Sequence, residues 1–224
     1  MGGRMGKFVT FEGIEGCGKT TQIGLAAAWL KERGILILTT AEPGGTPLGR
    51  KVRDILLNRG LCAIGAEAEL LLFAAARAQH VREAILPALN ANQWVLCDRF
   101  TDATLAYQGF GRGLDAAFIH RLNAFSAGSL KPDLTLLFDL PVETGLTRAK
   151  KRIAGVRPEA AEDRFEQEDL AFHGRIRQGY LTLAAAEPDR FRIIDGAADI
   201  DTIHAAVCRH LAVLMQDPLL GRKG

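Results

Sequence analysis

The stretch FVTFEGIEGCGKTT, residues 8–21, combines an apolar strand-like segment, a glycine-rich turn and the start of a helix-like segment. Its centre, GIEGCGKT (residues 13–20), matches the P-loop pattern G-x-x-x-x-G-K-[ST]. Glycines let consecutive backbone N–H groups point toward one anion, and the N-terminus of the next helix adds positive potential. Lys19 can reach the outer phosphates, and the hydroxyl of Thr20 can bind Mg²⁺. The turn therefore predicts a nucleoside triphosphate site.

Strand-like and helix-like segments alternate along the rest of the chain. Apolar runs predict strands over residues 7–12, 35–40, 94–97, 134–140 and 191–194. Helical spacing predicts helices over residues 18–34, 48–57, 66–91, 116–127, 142–152, 165–187 and 200–215. This alternation favours one α/β domain over residues 1–224, a three-layer P-loop NTPase fold with a five-stranded parallel sheet covered by helices on both faces. Ligands in such sheets bind beyond the carboxyl ends of the strands.

Composition narrows the functional class. The chain has 224 residues, 48% of them hydrophobic, and a formal net charge of +2, which gives no argument for a nucleic-acid surface. Its four cysteines have neither CxxC nor metal-ligand spacing, as is typical of free thiols in a reducing compartment. No apolar run approaches the roughly 20 residues that span a bilayer. We therefore expect a cytoplasmic protein that binds neither nucleic acid nor membrane.

Three classes of P-loop protein can be compared. A GTPase would carry N-K-x-D, which this chain lacks, and many motor-type ATPases end their second acidic strand in Asp-Glu. Here that strand ends in Asp98-Arg99. Asp98 could hold Mg²⁺ and Arg99 could hold the phosphate of an acceptor, although the two could also form an ordinary ion pair at a strand end. The pair favours a kinase with a second pocket.

A candidate for that second pocket lies on the predicted helix 66–91. Phe73 and Arg77 are four residues apart and therefore share one face, with alanines between them. The ring could stack on a nucleobase and the guanidinium could donate to a base carbonyl. A core phenylalanine beside an arginine that extends to solvent would show the same pattern.

Several longer stretches resemble one family. They are FEGIEGCGKTTQ (11–22), EPGGTPLG (42–49), LLFAAARAQHV (71–81), DRFTDATLAYQGFGRGLD (98–115) and DRFEQED (163–169). Together they resemble the thymidylate kinases over roughly residues 7–210. The resemblance implies transfer of the γ-phosphoryl group of ATP to dTMP with Mg²⁺, and a homodimer.

The same resemblance assigns roles to single residues. Phe73 would stack on thymine, Arg77 would donate to its O4 and Thr104 would lie near N3. Tyr107 would crowd the 2′ carbon of the sugar, and Glu15 would reach toward the 3′-hydroxyl and the metal region. The remaining acceptor residues are implied to be Pro43, Arg53, Arg99 and Gln108. The donor nucleotide is implied to contact Gly13, Ile14, Glu15, Gly16, Cys17, Gly18, Lys19, Thr20, Thr21 and Arg148, with Thr20 and Asp98 at the metal.

The transferred phosphoryl group needs one more cation. Some members of the resembled family carry an arginine among the variable P-loop positions, and others supply it from a closing lid. Ile14 to Cys17 offer no cation, so the resemblance implies a mobile lid at about residues 150–163. Its candidate cations are Lys150, Lys151, Arg152 and Arg157, with Arg152 as the first choice. The catalytic residues are therefore expected to be Lys19, Asp98, Arg99 and Arg152.

Two features differ from the family pattern. Ala41 stands where the family usually has arginine, and the segment 153–162 looks long. A kinase for dUMP or a deoxynucleoside, and a regulator that binds ATP without transferring it, remain as alternatives.

Overall fold

The computed structural model of the chain describes residues 6–57, 63–156, 165 and 168–216, without the side chains of 152–156. The strands in this part form one parallel sheet with the order β2-β3-β1-β4-β5. They are β1 (Phe8–Glu12), β2 (Ile37–Ala41), β3 (Trp94–Asp98), β4 (Leu134–Asp139) and β5 (Phe191–Asp195). The predicted five-stranded parallel sheet is confirmed.

Helices connect the strands. They are α1 (Lys19–Lys31), α2 (Pro47–Leu57), α3 (Ala66–His80), α4 (Leu86–Asn90), α5 (Thr101–Thr104), α6 (Ala116–Ala127), α7 (Val142–Val156), α8 (Leu170–Ala186) and α9 (Ile200–Gln216). Two π-helical segments, Val81–Ile85 and Leu105–Gly111, continue α3 and α5. In the part of the chain that is described, no helix is both long and apolar enough to cross a membrane.

The central strand β1 is buried along its whole length, and its alternate side chains point to opposite faces of the sheet. Val9 lies in a core cluster with Leu30 of α1 and Val207 of α9. Phe8, one residue earlier, lies in a second cluster with Leu89 of α4. Both faces of the sheet are therefore covered by helices, as the alternating segments predicted.

The strand register brings three sequence-distant loops to one edge of the sheet. Asp98 at the end of β3 pairs with Phe11 of β1 and with Ala41 of β2. Beyond these pairs, the Arg99 N–H donates to the Phe11 carbonyl at 3.1 Å, and the Glu42 N–H donates to the Asp98 carbonyl at 2.9 Å. The P-loop, the EPGG stretch and Asp98-Arg99 therefore meet at the carboxyl ends of the strands, the predicted place.

The helix predicted over residues 66–91 contains a π-helical segment, Val81–Ile85, before α4. Pro87 has no N–H, and in a regular α-helix its ring would clash with the carbonyl four residues earlier. A wider π-helical turn in front of Pro87 relieves that clash.

A high content of glycine and hydrogen-bonding side chains predicts a loop over residues 101–113. That prediction was wrong, since α5 and the π-helical segment Leu105–Gly111 occupy most of it. Leu105, Ala106 and Tyr107 are buried against the rest of the core, so tertiary packing overrides the local signal.

Two helix boundaries differ from prediction by about four or five residues. α7 was predicted to end at residue 152 and continues to Val156. α8 was predicted to start at residue 165 and begins at Leu170, because the Asp169 carboxylate caps it by accepting the Phe172 N–H at 2.6 Å.

Candidate functional site

A cavity of about 650 Å³ opens at the carboxyl edge of the sheet. It is lined by both the P-loop side and the expected acceptor side, so the two predicted half-sites form one space. The predicted residues that line it are Glu15, Gly16, Cys17, Gly18, Lys19, Thr20, Thr21, Pro43, Arg53, Phe73, Arg77, Asp98, Arg99, Thr104, Tyr107, Gln108 and Arg148.

The P-loop requires glycine at two positions for different reasons. Gly18 has φ of 95° where it caps the N-terminus of α1, a left-handed conformation that other residues rarely adopt. Gly16 has φ of 70°, and a Cβ there would lie 2.0 Å from the carbonyl oxygen of Gly145 on α7. The loop therefore turns tightly while its backbone packs directly against α7.

The ammonium of Lys19 is buried within the P-loop. Its Nζ donates to the carbonyls of Gly13 and Ile14, each at 2.9 Å, and lies 3.3 Å from Sγ of Cys17. A phosphate bound in the cradle would compete with these carbonyls for the same protons. The positive charge is therefore already placed at the anion site before any ligand contributes.

Thr20 and Asp98 are neighbours in the lining of the cavity. The Thr20 hydroxyl donates to Oδ2 of Asp98 at 3.4 Å. Oδ1 of Asp98 is buried and accepts no hydrogen bond from the described residues. A hydroxyl and an unsatisfied carboxylate oxygen beside a phosphate cradle are oxygen ligands of the kind that Mg²⁺ prefers.

Arg99 follows β3 in the left-handed region, with φ of 69°. Its Nη1 donates to the Gly13 carbonyl at 2.9 Å and to the Tyr180 hydroxyl at 3.2 Å, and its Nη2 donates to Oε1 of Glu15 at 3.0 Å. The guanidinium carbon lies 4.8 Å from the centre of the Tyr107 ring. Arg99 is thus held rigidly between the P-loop and the acceptor side.

Glu15 is the acidic residue of the P-loop and stays ionised. Burial alone would raise its pKa, but His173, Arg99 and Lys19 together lower it to about 2. The Tyr107 hydroxyl donates to Oε1 of Glu15, and Nδ1 of His173 lies 3.4 Å from Oε2. Glu15 therefore presents a fixed negative charge next to Arg99.

Arg77 is almost completely buried and is surrounded by acceptors. Its Nε donates to Glu42 at 2.7 Å, its Nη1 to Asn123 at 2.7 Å, and its Nη2 to the Phe100 carbonyl at 3.0 Å and the Thr104 hydroxyl at 2.8 Å. Four of its five N–H groups are used in this way, which leaves one on Nη1 with no acceptor in the described part of the chain. The reading of Arg77 as a residue that extends to solvent is wrong.

His80, one helical turn after Arg77, supports the same carboxylate. Its Nδ1 lies 2.9 Å from Oε1 of Glu42, and its Nε2 lies 2.7 Å from the Thr40 hydroxyl. A Cβ on Gly45 would come within 2.2 Å of Nε2 of His80, so the EPGG loop packs directly on the imidazole. α3 and the loop after β2 are therefore locked together behind Arg77.

Aromatic rings form an apolar wall beside these polar groups. The ring centres of Phe73 and Phe165 are 6.3 Å apart, and those of Tyr107 and Phe165 are 5.7 Å apart. All three residues line the cavity. A flat apolar surface in the same cavity as Arg77 is suited to a planar heterocycle that carries a hydrogen-bond acceptor.

Comparison with known proteins agrees with this geometry. The family described as thymidylate kinase matches residues 11–207. The chain belongs to the thymidylate kinase family. The thymidylate kinase of Syntrophus aciditrophicus is 63% identical over 217 residues, covering 97% of this chain and 99% of that protein. The thymidylate kinase of Geobacter sulfurreducens is 56% identical over 203 residues, covering 91% and 95%.

A solved structure also resembles the chain. The crystal structure of thymidylate kinase from Ehrlichia chaffeensis superimposes with a TM-score of 0.74 and 33% identity, covering 92% of this chain and 98% of that one. The sequence-based assignment to thymidylate kinases and to the P-loop α/β fold is therefore confirmed.

Other predicted residues of this thymidylate kinase family member are placed as follows. Arg148 on α7 donates to the Gly196 carbonyl at 2.6 Å and the Ala197 carbonyl at 3.2 Å. Nη1 of Arg53 donates to the Pro43 carbonyl at 3.2 Å. The Gln108 amide donates to buried Glu69 at 2.7 Å. Gly13 and Ile14 contribute the carbonyls that hold Lys19, whereas Arg157 and the side chain of Arg152 lie outside the described residues.

Reasoning from sequence missed residues that support the cavity from behind. Glu42 and His80 lie within the stretches that carry the family resemblance, so those stretches contained a signal for them. Glu12 and Tyr180 are buried and hydrogen bonded to each other across 168 positions of sequence. No local pattern could have paired them.

Proposed function

We propose that the chain transfers the γ-phosphoryl group of ATP reversibly to dTMP, giving dTDP on the route to dTTP. In the forward step an oxygen of the dTMP phosphate bonds to the γ-phosphorus, and the bond from that phosphorus to the oxygen that leaves with ADP breaks. Membership in the thymidylate kinase family supports an enzyme with a nucleotide phosphate donor. The observation that carries the proposal is one cavity that joins a P-loop to a pocket lined by Phe73 and Arg77.

On the donor side, we infer that P-loop amides and Lys19 bind the ATP phosphates and that Arg148 contacts adenine. Thr20 and Asp98 would hold Mg²⁺, which when bound neutralises phosphate charge. Mg²⁺ usually keeps several waters and takes few protein ligands, and no group of three or more His, Cys, Asp or Glu ligands occurs among the described residues. The sparse ligand set is therefore consistent with a metal held largely by phosphates.

On the acceptor side, we infer that Phe73 stacks on thymine while the remaining N–H of Arg77 donates to O4. The other four N–H groups of Arg77 are committed to protein acceptors, so its orientation cannot adapt. Cytosine carries an amino group where thymine has O4, so two hydrogen-bond donors, this amino group and the N–H of Arg77, would face each other. Both would be buried without an acceptor, at a cost of about 1–3 kcal/mol. Thr104, which accepts from Arg77, would lie near N3.

The sugar and phosphate would lie between Tyr107 and Arg99. The Tyr107 hydroxyl is fixed by Glu15, so the ring is held where it would exclude a 2′-hydroxyl. Arg99, with Arg53 beside the carbonyl of Pro43, would bind the acceptor phosphate, and Gln108 would contribute to the same pocket. These cations bring two anionic reactants into line, which is most of what phosphoryl transfer requires of a protein.

A coupled assay with Mg-ATP and a panel of acceptors tests the proposal. We expect turnover with dTMP to exceed turnover with dUMP, dCMP and thymidine. A preference for dUMP or for thymidine would replace it with the kinase alternative. Saturable ATP binding without turnover of any acceptor would instead favour the regulator.

Replacing Arg77 by alanine should affect stability and acceptor binding together. Glu42 would remain buried with only His80 beside its carboxylate. Because a buried ion pair is broken, we expect the free energy of unfolding to fall by about 3–5 kcal/mol. KM for dTMP should rise about 10-fold or more, because 1–3 kcal/mol of base recognition is lost, whereas KM for ATP should change little. Thermal denaturation and steady-state kinetics measure the two effects.

Asn123→Ala provides the matched control for Arg77. Asn123 accepts from Arg77 and does not line the cavity. Its loss should reduce stability while changing KM for dTMP less than Arg77→Ala does. If Arg77→Ala weakens ATP and dTMP equally, Arg77 supports only the fold.

We also propose a homodimer through α3 and α6, which pack against each other and carry exposed apolar residues. Leu71 on α3 is 55% exposed and Phe125 on α6 is 85% exposed. We expect sedimentation to give twice the mass of the chain, and Phe125→Glu to shift it to the monomer mass. Leu36→Glu, at an exposed position outside α3 and α6, should leave the mass unchanged. A wild-type monomer at micromolar concentration would exclude the dimer.

A further inference from the structure

A buried chain of hydrogen bonds extends behind Arg99, outside the cavity. Nη1 of Arg99 donates to the Tyr180 hydroxyl at 3.2 Å, and that hydroxyl donates to Oε2 of Glu12 at 2.7 Å. Tyr180 on α8 is 1% exposed and Glu12 at the end of β1 is fully buried. Neither lines the cavity, so neither is placed to contact a bound nucleotide.

Glu12 also holds the backbone next to Arg99. Its other oxygen, Oε1, accepts the N–H of Phe100 at 2.8 Å. Arg99 has φ of 69°, a conformation that is uncommon for a residue with a side chain and persists only where its surroundings enforce it. One carboxylate therefore holds the main chain directly after Arg99 and, through Tyr180, the guanidinium.

The direction of each hydrogen bond follows from the chemistry. The single proton of the Tyr180 hydroxyl goes to Glu12, so its oxygen can only accept from Arg99. The two Nη1 protons of Arg99 go to Gly13 and Tyr180, and one Nη2 proton goes to Glu15. Nε–H and the second Nη2–H have no acceptor within the described residues. Two N–H groups of one planar guanidinium suit the oxygens of a phosphate.

We propose that Tyr180 and Glu12 are positioning residues that turn the unused N–H groups of Arg99 toward the phosphate of the acceptor. This role rests on the proposed phosphoryl transfer. The Tyr180 hydroxyl bonds Arg99 and Glu12, so its role concerns the phosphate contact. Glu12 also holds Phe100, whose carbonyl accepts from Arg77, so Tyr180 gives the cleaner test of the two.

The electrostatics make the arrangement sensitive to pH. Burial and the neighbouring carboxylate of Asp102 raise the pKa of Glu12 to about 7, while Arg99 and the hydrogen bonds from Tyr180 and Phe100 act in the opposite direction. Asp102 is itself paired with Arg190 at 2.7 and 2.8 Å. The ionisable groups that act on Glu12 are thus Asp102 from α5, Arg99 after β3 and Tyr180 from α8, with Cys97 of β3 also coupled to it.

Ionised Glu12 accepts the Tyr180 proton through Oε2 and the Phe100 N–H through Oε1. A protonated carboxyl carries a hydrogen on one of these oxygens, so it no longer accepts fully at both. The arrangement is therefore complete above pH 7 and is lost as the pH falls through about 7. The acceptor phosphate itself titrates near pH 6. The titration of the phosphate affects the wild type and the variants equally. Comparing their pH profiles with the same acceptor therefore isolates the contribution of Glu12.

Tyr180→Phe tests the proposal by removing one oxygen from an otherwise unchanged ring. We expect kcat/KM for dTMP to fall about 10-fold, the effect of one hydrogen bond to a charged group. In the wild type, we expect kcat/KM for dTMP to fall as the pH drops through about 7 and Glu12 becomes protonated. In Tyr180→Phe this fall should occur at higher pH, because Glu12 loses a hydrogen bond that lowers its pKa. The affinity for thymidine, which lacks the phosphate, should stay within about two-fold of the wild type in calorimetric titration.

Glu12→Gln is the second variant, since it retains the shape of the side chain and removes its charge. It should lower the affinity for dTMP relative to that for thymidine in the same way. The fall of kcat/KM near pH 7 should disappear, because residue 12 can no longer be ionised. Thr10→Val is the matched control, because it removes a buried hydroxyl that bonds Thr135 on the same sheet and does not touch Arg99. It should not change the ratio of dTMP to thymidine affinity.

The outcomes separate this proposal from the proposed function. If the wild type phosphorylates dTMP and Tyr180→Phe leaves the dTMP to thymidine ratio unchanged, the positioning role is refuted and the kinase activity stands. Equal loss of dTMP and thymidine binding would reduce Tyr180 to a structural residue and also refute it. If the wild type does not phosphorylate dTMP, the proposed function fails first.

Discussion

Replacing Lys19 by alanine should lower kcat for dTMP phosphorylation by about 10³-fold. Removal of a single charge-stabilising donor typically costs about 10²–10³ in kcat, and cations at a transferred phosphoryl group cost about 10³–10⁵. Lys19 is buried in the phosphate cradle and its ammonium already faces the anion site. Its charge should matter most as negative charge shifts toward the oxygen that leaves with ADP. Steady-state kinetics with saturating ATP and dTMP measure the loss.

Lys31→Ala is the matched control, because Lys31 is an exposed lysine at the other end of the same helix α1. It should keep wild-type kcat. Calorimetry should show that Lys19→Ala still binds ATP, with a smaller loss in affinity than in kcat. A kcat within ten-fold of the wild type would remove Lys19 from the mechanism.

Replacing Arg152 by alanine should lower kcat by about 10³-fold or more, with little change in ATP affinity, as for arginines supplied to related phosphoryl transfers. The described backbone supports this choice. Gly145 of α7 packs against Gly16 of the P-loop, and Arg148, one turn later, lines the cavity. Arg152 lies four residues further along α7 and so on the same face as Arg148, about 6 Å along the axis.

Lys150→Ala is the control for Arg152, since position 150 is two residues from both Arg148 and Arg152 and therefore lies on the opposite face of α7. It should keep most of kcat. Both variants test the predicted lid at about residues 150–163, which stays a prediction. Should Arg152→Ala remain within a few-fold of the wild type while Lys151→Ala or Arg157→Ala fails, the role belongs to that residue instead.

Local sequence determined the donor half of the site. The P-loop depends on eight consecutive residues, and Gly16 and Gly18 permit a backbone that few other residues adopt. Apolar runs likewise predicted each strand of the sheet to within about two residues at its ends. The P-loop turn and the strands follow from short-range sterics and from burial. They can therefore be predicted without knowing which elements pack against them.

Tertiary structure alone decided how the acceptor half is held. Residues 101–113 look like a loop by composition and are helical because Leu105 and Tyr107 are buried. Arg77 takes its acceptors from residues 42, 100, 104 and 123, and Tyr180 meets Glu12 across 168 positions. The physical reason is that strand register and helix packing bring these partners together. A buried charge needs a partner close in space, and that partner can lie anywhere in the sequence.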